Sequence, residues 1–469
     1  MSQSSAESHP FRSRLGLSPR LDRVLLIGAL GILSAVSPMA TDVYLASMPD
    51  MSEYFGTTAS LVQLTLTTYM IGIALGQFVL GPLSDVLGRH KLMVAGNALF
   101  VVASLGIVFA PTIEVVLALR AIQGVAGAAG VVIARAMVSD MTTGRTAAQL
   151  YSILALITSL APVVAPLLGG VIATVAQWQT VFWVLTGFGL LMLACSVLVI
   201  PETLPKAMRS QGGMGRIVRN AVTVVKDRWF TLYALTFAFG FGSLFSYVSA
   251  SSFVIQNVMG YSALAYSVIF AVNAAGAIVT AMLNTRLVKN REPRALLLMG
   301  VIGMSATACL NMILVLLGVV GIPTLILLFL MQSCIGFIFG NAVALAQDRA
   351  HAHRLSGTGS AVVGMSQFVL GGIVSPLSGL AGDHSAVPMV VTMAACALVA
   401  LGAVLGGIAM GYGARIAYGC NIGAYFGGIA SFSLHGWLWG AMALVGTAVG
   451  LRLRPLLGLS NPRPTDAVC

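Results

Sequence analysis

Long runs of apolar residues, separated by polar connections, occupy most of residues 24–411 of the chain. Each run is about 20 residues long, which lets an α-helix cross the ~30 Å hydrocarbon core of a bilayer. The pattern predicts twelve helices, near residues 24–46, 59–81, 92–110, 113–138, 149–170, 179–200, 229–256, 263–287, 295–318, 323–347, 358–380 and 388–411. A polar stretch from about 201 to 228 separates the first six from the last six. We therefore predict an all-α membrane protein built from two six-helix bundles.

This pattern also sets the domain organisation. We expect a polar N-terminal tail over 1–22, a six-helix bundle over 23–205, a central loop over 206–228 and a second bundle over 229–411. Residues 412–469 form a further apolar, glycine-rich extension. A thirteenth span near 425–450, a re-entrant segment and a surface-lying segment all remain open for it.

Composition and charge narrow the class of protein. Only 8% of the 469 residues are charged and the mean hydropathy is +0.95, whereas a soluble domain carries about 25% charged residues. The net charge of +11 does not indicate nucleic-acid binding, because the basic residues fall in alternate connections and not in one patch. The opposite connections lack Lys and Arg; they lie around 47–58, 111–112, 171–178, 257–262, 319–322 and 381–387. The positive-inside rule then places the N-terminus and the central loop in the cytoplasm.

The signals of enzymes and metal proteins are missing from the sequence. No nucleophile elbow, phosphate-binding loop or dinucleotide fingerprint stands in a strand–turn–helix setting. The histidines have no carboxylate or cysteine at metal-ligand spacing. We expect neither enzymatic activity nor a metal or other cofactor.

Away from the ends of the predicted helices, two ionisable residues lie within the apolar runs, Asp42 in the first and Arg120 in the fourth. A charge at the centre of a bilayer costs at least about 2.5–3.5 kcal/mol, so such residues are candidates for function. Asp42 could instead pair with Arg120 for structural reasons, or reach water at the outer surface. The functional alternative is a carboxylate that takes up and releases a proton, beside a cation. We name six further polar or aromatic candidates for a substrate cavity: Tyr44, Gln63, Thr67, Tyr69, Gln77 and Gln123.

Four motifs give the chain a family resemblance. They are Gly81-x-Leu83-x-Asp85-x-x-Gly88-Arg89 between helices two and three, Arg120-x-x-Gln123-Gly124, Ala161-Pro162-x-x-Ala165-Pro166-x-x-Gly169-Gly170, and Thr41-Asp42-Val43-Tyr44-Leu45. Over about residues 20–411 the chain resembles drug:proton antiporters of the major facilitator superfamily, in the Bcr/CflA drug-resistance group. Residues 56–91 are most similar to chloramphenicol exporters. The chain departs from the family pattern at Val86, His90 and Ala46, where Arg, a basic residue and Pro are usual.

The resemblance implies a function and a location. It implies a multi-pass protein of the cytoplasmic (inner) membrane, monomeric, with a small drug and protons as its partners and no nucleic acid. The proton gradient would supply the energy, with Asp42 and Arg120 coupling proton movement to export of a phenicol antibiotic. A broader multidrug exporter, of bicyclomycin or sulfonamide type, or an exporter of an endogenous metabolite is the alternative.

The resemblance also implies two structural roles. Asp85 would face the start of the eleventh helix near residues 356–358 and Arg89 would reach Asp140, so that this latch, with Gly81 and Gly88, closes the cytoplasmic side. Pro removes a backbone hydrogen bond and glycine permits close approach of helices. Pro162, Pro166, Gly169 and Gly170 would therefore bend the fifth helix and seal the contact between the two bundles.

Overall fold

The structure is a computed structural model that describes residues 18–142, 144–205, 209, 214–353, 355–380 and 385–415. Among the described residues, those up to Val404 form one compact unit, and those from Leu405 to Arg415 belong to a second. The C-terminal extension after residue 415 and the first 17 residues lie outside the described residues, so the alternatives for the extension stay open. Within the described part, twelve helical segments are long and apolar enough to cross a membrane.

The described helices are all α-helices apart from short turns of other types. Their bounds are α1 Pro19–Ser34, α2 Val36–Asp42, α3 Met48–Tyr54, α4 Ala59–Leu87, α5 Arg89–Val108, α6 Ile113–Met141, α7 Gly144–Val175, α8 Gln179–Ala194, α9 Met214–Lys226, α10 Arg228–Phe253, α11 Ala263–Leu287, α12 Pro293–Leu316, α13 Ile322–Ala352, α14 Ser356–Leu377 and α15 Val387–Arg415. A 3₁₀ turn spans Leu45–Ser47, and π turns extend α8 over Cys195–Val199 and α10 over Val254–Val258. We call α1–α8 the first helix group and α10–α15 the second. The predicted all-α membrane fold is confirmed.

The first span differs from its prediction, because the single helix predicted over 24–46 is divided into α1, α2 and a 3₁₀ turn. α1 ends at Ser34, and α2 contains Pro38 in its first turn. Proline has no N–H to donate, and its ring collides with the carbonyl four residues earlier, so the helix breaks just before it. α2 ends at Asp42, which places this carboxylate at a helix end within the span Leu21–Tyr54.

The second helix is longer than predicted. Its apolar run predicts an end at Gly81, but α4 continues through Pro82 to Leu87. Asp85 therefore lies in the last turn of α4 and not in a loop. The connection to α5 is Gly88 alone, whose φ of +99° is in the region that favours glycine.

The central loop also contains a helix that the hydropathy pattern does not predict. We expect only a polar stretch over 206–228, but α9 occupies much of it. Arg216, Arg219 and Lys226 interrupt its apolar residues, so no long apolar run marks it, and a helical period is its only signal. Asp227 then caps α10, accepting hydrogen bonds from the N–H groups of Trp229 at 2.9 Å and Phe230 at 3.0 Å.

The two helix groups pack against each other mainly through two helix pairs. α4 of the first group packs on α14 of the second, and α7 packs on α11. Within the first group, α4 and α6 approach closely because Gly72, Gly76 and Gly124 leave room for the backbone of the facing helix. The helix pairs between the groups frame the site described next.

Candidate functional site

A large cavity of about 1330 Å³ lies between the two helix groups. We call the end of the molecule with the basic connections the basic end, marked by Arg89, Arg209, Arg228 and Arg349, and the other end the neutral end. Asp42 lines the deep part of the cavity, and Asp85, Thr285 and Gly357 line it at the basic end. The cavity thus extends from Asp42 toward the basic end.

Contacts between the helix groups close the cavity toward the neutral end. Thr67 Oγ1 donates to the Gly372 carbonyl at 2.9 Å, and Ser375 Oγ donates to the Gln63 carbonyl at 3.1 Å, both between α4 and α14. Gln256 Nε2 donates to the Ala46 carbonyl at 3.1 Å. The structure is therefore open at the basic end and sealed at the neutral end.

Asp42 is a nearly buried carboxylate in the cavity wall, with a fractional exposure of 7%. Among the described residues it forms no ion pair, and Arg120 is not its partner. The structural Asp–Arg pair that the sequence left open is therefore not formed. Asp42 is available to a proton or a ligand that enters the cavity.

Arg120 is completely buried behind the cavity wall. Its guanidinium carbon lies 4.4 Å from the ring centroids of both Tyr44 and Tyr69, so the charge is stabilised by two aromatic faces. Nη1 donates to the Gln123 side-chain oxygen at 2.7 Å and to the Ala40 carbonyl at 3.0 Å. Because Ala40 is two residues before Asp42, Arg120 fixes the backbone that carries the carboxylate.

The six cavity candidates have three different locations. Only Gln77 among them lines the cavity. Tyr44, Tyr69 and Gln123 surround Arg120, and Gln63 and Thr67 lie in the contact with α14. The expectation that these five line the cavity is corrected. Gln63, Thr67 and Gln77 lie on one face of α4 by their helical spacing, so the sequence does not indicate that only the part near Gln77 meets the cavity while the rest meets α14.

A charged network occupies the basic end of α4, α5 and α6. Arg89 Nη1 lies 2.6 Å from Asp85 Oδ1, and Arg89 Nε donates to Asp140 Oδ2 at 3.0 Å. The expected contact between Arg89 and Asp140 is present. Asp85 pairs with Arg89 and lies with Gly357 and Thr358 on the wall of the open cavity; it makes no described hydrogen bond to the first turn of α14.

Glu202 belongs to the same network, and sequence reasoning missed its role. Its carboxylate accepts the backbone N–H of Arg89 at 3.0 Å and that of His90 at 3.4 Å. An anion at a helix N-terminus satisfies free N–H groups and opposes the helix dipole. Thr203 Oγ1 adds a hydrogen bond to Asp140 at 3.1 Å. The one feature of the sequence that pointed to this role is that Glu202 is an acidic residue directly after the sixth span.

The small residues of α7 allow close approach of its neighbours. Pro162 and Pro166 are both inside the helix, and Pro162 lines the cavity. A Cβ on Gly169 would collide with the Val43 carbonyl, and one on Gly170 would collide with the Ser267 side chain of α11. Gly170 therefore lies in the contact between the helix groups, and Gly169 packs against the backbone next to Asp42.

The wall formed by the second helix group was not predicted at all. Phe241, Phe245, Phe339 and Phe368 line it, together with the amide Gln332. Phe residues in an apolar helix look like ordinary membrane-facing residues, and an uncharged amide costs far less in a membrane than a charge. Neither type of residue therefore stands out in the sequence.

Two bacterial proteins are similar to this chain over about four fifths of its length. The chain is 33% identical to the chloramphenicol resistance protein of Pseudomonas aeruginosa, over 81% of this chain and 89% of that protein. It is 29% identical to the bicyclomycin resistance protein homolog of Haemophilus influenzae, over 80% of this chain and 94% of that protein.

A solved structure with the same fold and a match to a family model agree with the similarity to these relatives. The crystal structure of a point mutant of the nucleoside transporter NupG superposes with a TM-score of 0.65 over 82% of this chain and 99% of that chain. Its sequence identity of 9% makes this a likeness of fold alone. Residues 30–376 match the family model of the Major Facilitator Superfamily. The chain therefore belongs to the Major Facilitator Superfamily and is a relative of its drug-resistance transporters.

Proposed function

We propose that the protein exports a small, weakly polar drug across the cytoplasmic membrane in exchange for protons, with a phenicol antibiotic as the main substrate. The observation that carries this proposal is the position of Asp42, a carboxylate without an ion-pair partner among the described residues, in the wall of a large cavity. The name of the relative from Pseudomonas aeruginosa supports the choice of drug. The proton gradient is the energy source in this proposal, and the monomer is sufficient, because the cavity lies within one chain.

The charge of the two ends supports an orientation in the membrane, and the proposed export is described in that orientation. The basic end faces the cytoplasm by the positive-inside rule, so the described conformation is inward-open. Drug enters from the cytoplasm, and Asp42 releases its proton to the same side. Closure of the basic end and opening of the neutral end then expose the cavity to the outside, where drug leaves and Asp42 is protonated again. Exchange of a neutral drug for a proton moves charge, so membrane potential and pH gradient both drive it.

A second candidate function is export of a broader range of drugs or of an endogenous metabolite. The cavity volume of about 1330 Å³ favours it, since a site for one small molecule usually measures about 300–1,000 Å³. The name of the Haemophilus influenzae relative also favours it. A susceptibility panel in a host without its own pumps distinguishes the two: a shift confined to phenicols supports the main proposal, and a wide shift supports the alternative.

The test of the mechanism is chloramphenicol transport in everted vesicles with an imposed pH gradient. Asp42→Asn should bind chloramphenicol but lose nearly all gradient-driven transport, because the amide cannot carry a proton. Asp50→Asn is the matched control, since Asp50 lies in the same span, is exposed and does not line the cavity. Full transport by Asp42→Asn would remove this carboxylate from the mechanism.

A further inference from the structure

Gln332 on α13 is a buried amide in the wall of the cavity. Its fractional exposure is 2%, and in the described part of the chain neither its side-chain oxygen nor its nitrogen has a hydrogen-bonding partner. Buried polar groups are nearly always paired, because an unpaired one keeps the full cost of its desolvation. An unpaired amide in a cavity wall therefore points to a partner that enters the cavity.

The neighbouring polar groups do not supply that partner. Asn273 Nδ2 donates to the Tyr247 hydroxyl at 2.7 Å, and Ser243 Oγ donates to the Met393 carbonyl at 3.1 Å. Among the described residues that line the cavity, Gln332 alone has buried side-chain atoms without a partner. Its hydrogen-bonding capacity is left for a ligand.

An aromatic surface lies in the same wall. The Phe241 and Phe245 rings stack with centroids 5.5 Å apart and an interplanar angle of 14°. Phe368 meets Phe241 edge-on at 6.0 Å, and Phe339 lies 6.2 Å from it. Three helices, α10, α13 and α14, thus present one continuous set of rings to the cavity, and aromatic ligands gain both buried area and ring contacts there.

We infer that the wall of the second helix group is the recognition subsite for a neutral molecule that carries an aromatic ring and an amide. The ring packs on Phe241 and Phe245, and the ligand's amide pairs with Gln332. A carboxamide side chain offers a donor and an acceptor side by side, which matches the N–H and C=O of an amide. This inference rests on the proposed function and adds to it the chemical groups of the substrate that are recognised and the residues that recognise them. It separates recognition, in the second group, from proton handling by Asp42 in the first.

Two ligands that differ in the amide group measure how much that group contributes to binding. Chloramphenicol carries a nitrophenyl ring, two hydroxyls and a dichloroacetamide; its deacylated amine keeps the ring and the hydroxyls and lacks the amide. Affinities are measured by equilibrium binding to the purified full-length protein in nanodiscs. For each probe, the affinity of a variant is divided by the affinity of wild type. The effect of the amine's positive charge is present in both affinities and therefore cancels from this ratio.

Gln332→Met removes both hydrogen-bonding atoms at nearly the same side-chain length. We expect it to weaken chloramphenicol binding about tenfold or more, and the amine by less than about twofold. Asn311→Leu is the matched control, because Asn311 is 1% exposed with an equally unpartnered amide but does not line the cavity. It should bind both probes as wild type does. Phe245→Leu should weaken both probes alike, since both carry the ring.

The outcomes separate this inference from the proposed function. Unchanged chloramphenicol affinity in Gln332→Met overturns the amide subsite, and equal loss of both probes also overturns it; wild-type export of the drug still stands in both cases. Wild-type affinity in Phe245→Leu overturns the aromatic part. A wild-type protein that neither binds nor exports chloramphenicol overturns the proposed function, and the subsite with it.

Discussion

Single side chains show which residues a sequence can and cannot identify in a membrane protein. Asp42 and Arg120 were identified because a charge inside an apolar run is costly and therefore rare. The sequence could not decide whether they pair, since that depends on the break at Pro38 and on the rings of Tyr44 and Tyr69. Gln332 was missed because it stands out only by lacking a hydrogen-bonding partner among the described residues. Only the packing of α10, α11 and α13 shows that this partner is lacking.

The substitution Gly169→Ala, which adds one methyl group, tests how closely α7 packs beside Asp42. Gly169→Ala places a Cβ against the Val43 carbonyl, next to Asp42, so α7 or the end of α2 must move. We expect transport per molecule to fall at least about tenfold, or the protein to lose thermal stability, although Ala favours an isolated helix by about 1 kcal/mol.

Gly187→Ala in α8 is the control, since a Cβ there meets nothing within 4 Å. Both variants are measured by chloramphenicol resistance normalised to expression and by melting temperature. If Gly169→Ala behaves as Gly187→Ala does, the close contact has no importance for stability or transport.

At the scale of helices, the element type and the number of candidate membrane spans were predictable, but most element ends and the short helices were not. α11 begins and ends where its apolar run does, at Ala263 and Leu287. α4 continues past its last apolar run because Pro82 stays within the helix and Gly88 supplies the turn. α9 was missed since its apolar residues are spaced at helical intervals among charges, which lowers mean hydropathy.

The N-terminus of α10 provides a pH-dependent prediction outside the spans. Burial raises the pKa of Asp227, but hydrogen bonds from the Phe230 N–H, His353 and Arg349, with the Arg349 charge, outweigh it and bring the pKa from 3.8 to about 2. A carboxylate with a lowered pKa in the folded state stabilises the protein above its usual pKa, and this stability is lost as pH falls through the folded value.

Asp227→Asn keeps the oxygen that caps α10 and removes the charge that faces Arg349 at 3.1 Å. We expect its melting temperature to be lower than that of wild type by about 2–4 °C at pH 7, and the difference to shrink between about pH 4 and pH 2. Asp348→Asn is the control, because Asp348 is exposed at the same end of α13. A difference that is constant with pH would mean that the charge of Asp227 contributes nothing.

At the scale of the whole molecule, the two-group architecture was predictable from the six-plus-six pattern, but its conformation was not. The same helices can pack with either end open, and sequence patterns report helix faces and lengths but not which packing is lower in free energy. The described conformation has its open cavity between Asp85 and the first turn of α14, and its closed contacts at Thr67 and Gln256.

Alternating access predicts that these two regions exchange roles. Spin labels at Val86 and Gly357 should move closer when the basic end closes, while labels at Tyr54 and Tyr261 on the neutral end move apart. Asp85→Asn should reduce the population with the basic end closed, because the carboxylate no longer meets the N-terminal dipole of α14.

The distances between the spin labels are measured by pulsed electron paramagnetic resonance in a cysteine-free background, with and without chloramphenicol. They are compared between the protein with Asp85 and the Asp85→Asn variant. Asp50→Asn serves as the control for loss of one negative charge. Distances between Val86 and Gly357 that are long in every state would show that the proposed latch does not form.

The uneven distribution of charge around the cavity has a consequence for the evolution of resistance. Every described charged residue of its wall, Asp42, Asp85 and Arg135, belongs to the first helix group, and the second contributes only uncharged side chains. Substitutions among the phenylalanines and amides of the second group can therefore alter which compounds fit while leaving the titratable machinery intact. Clinical or laboratory selection with a new compound should accumulate its mutations in the half of the gene that encodes α10–α14.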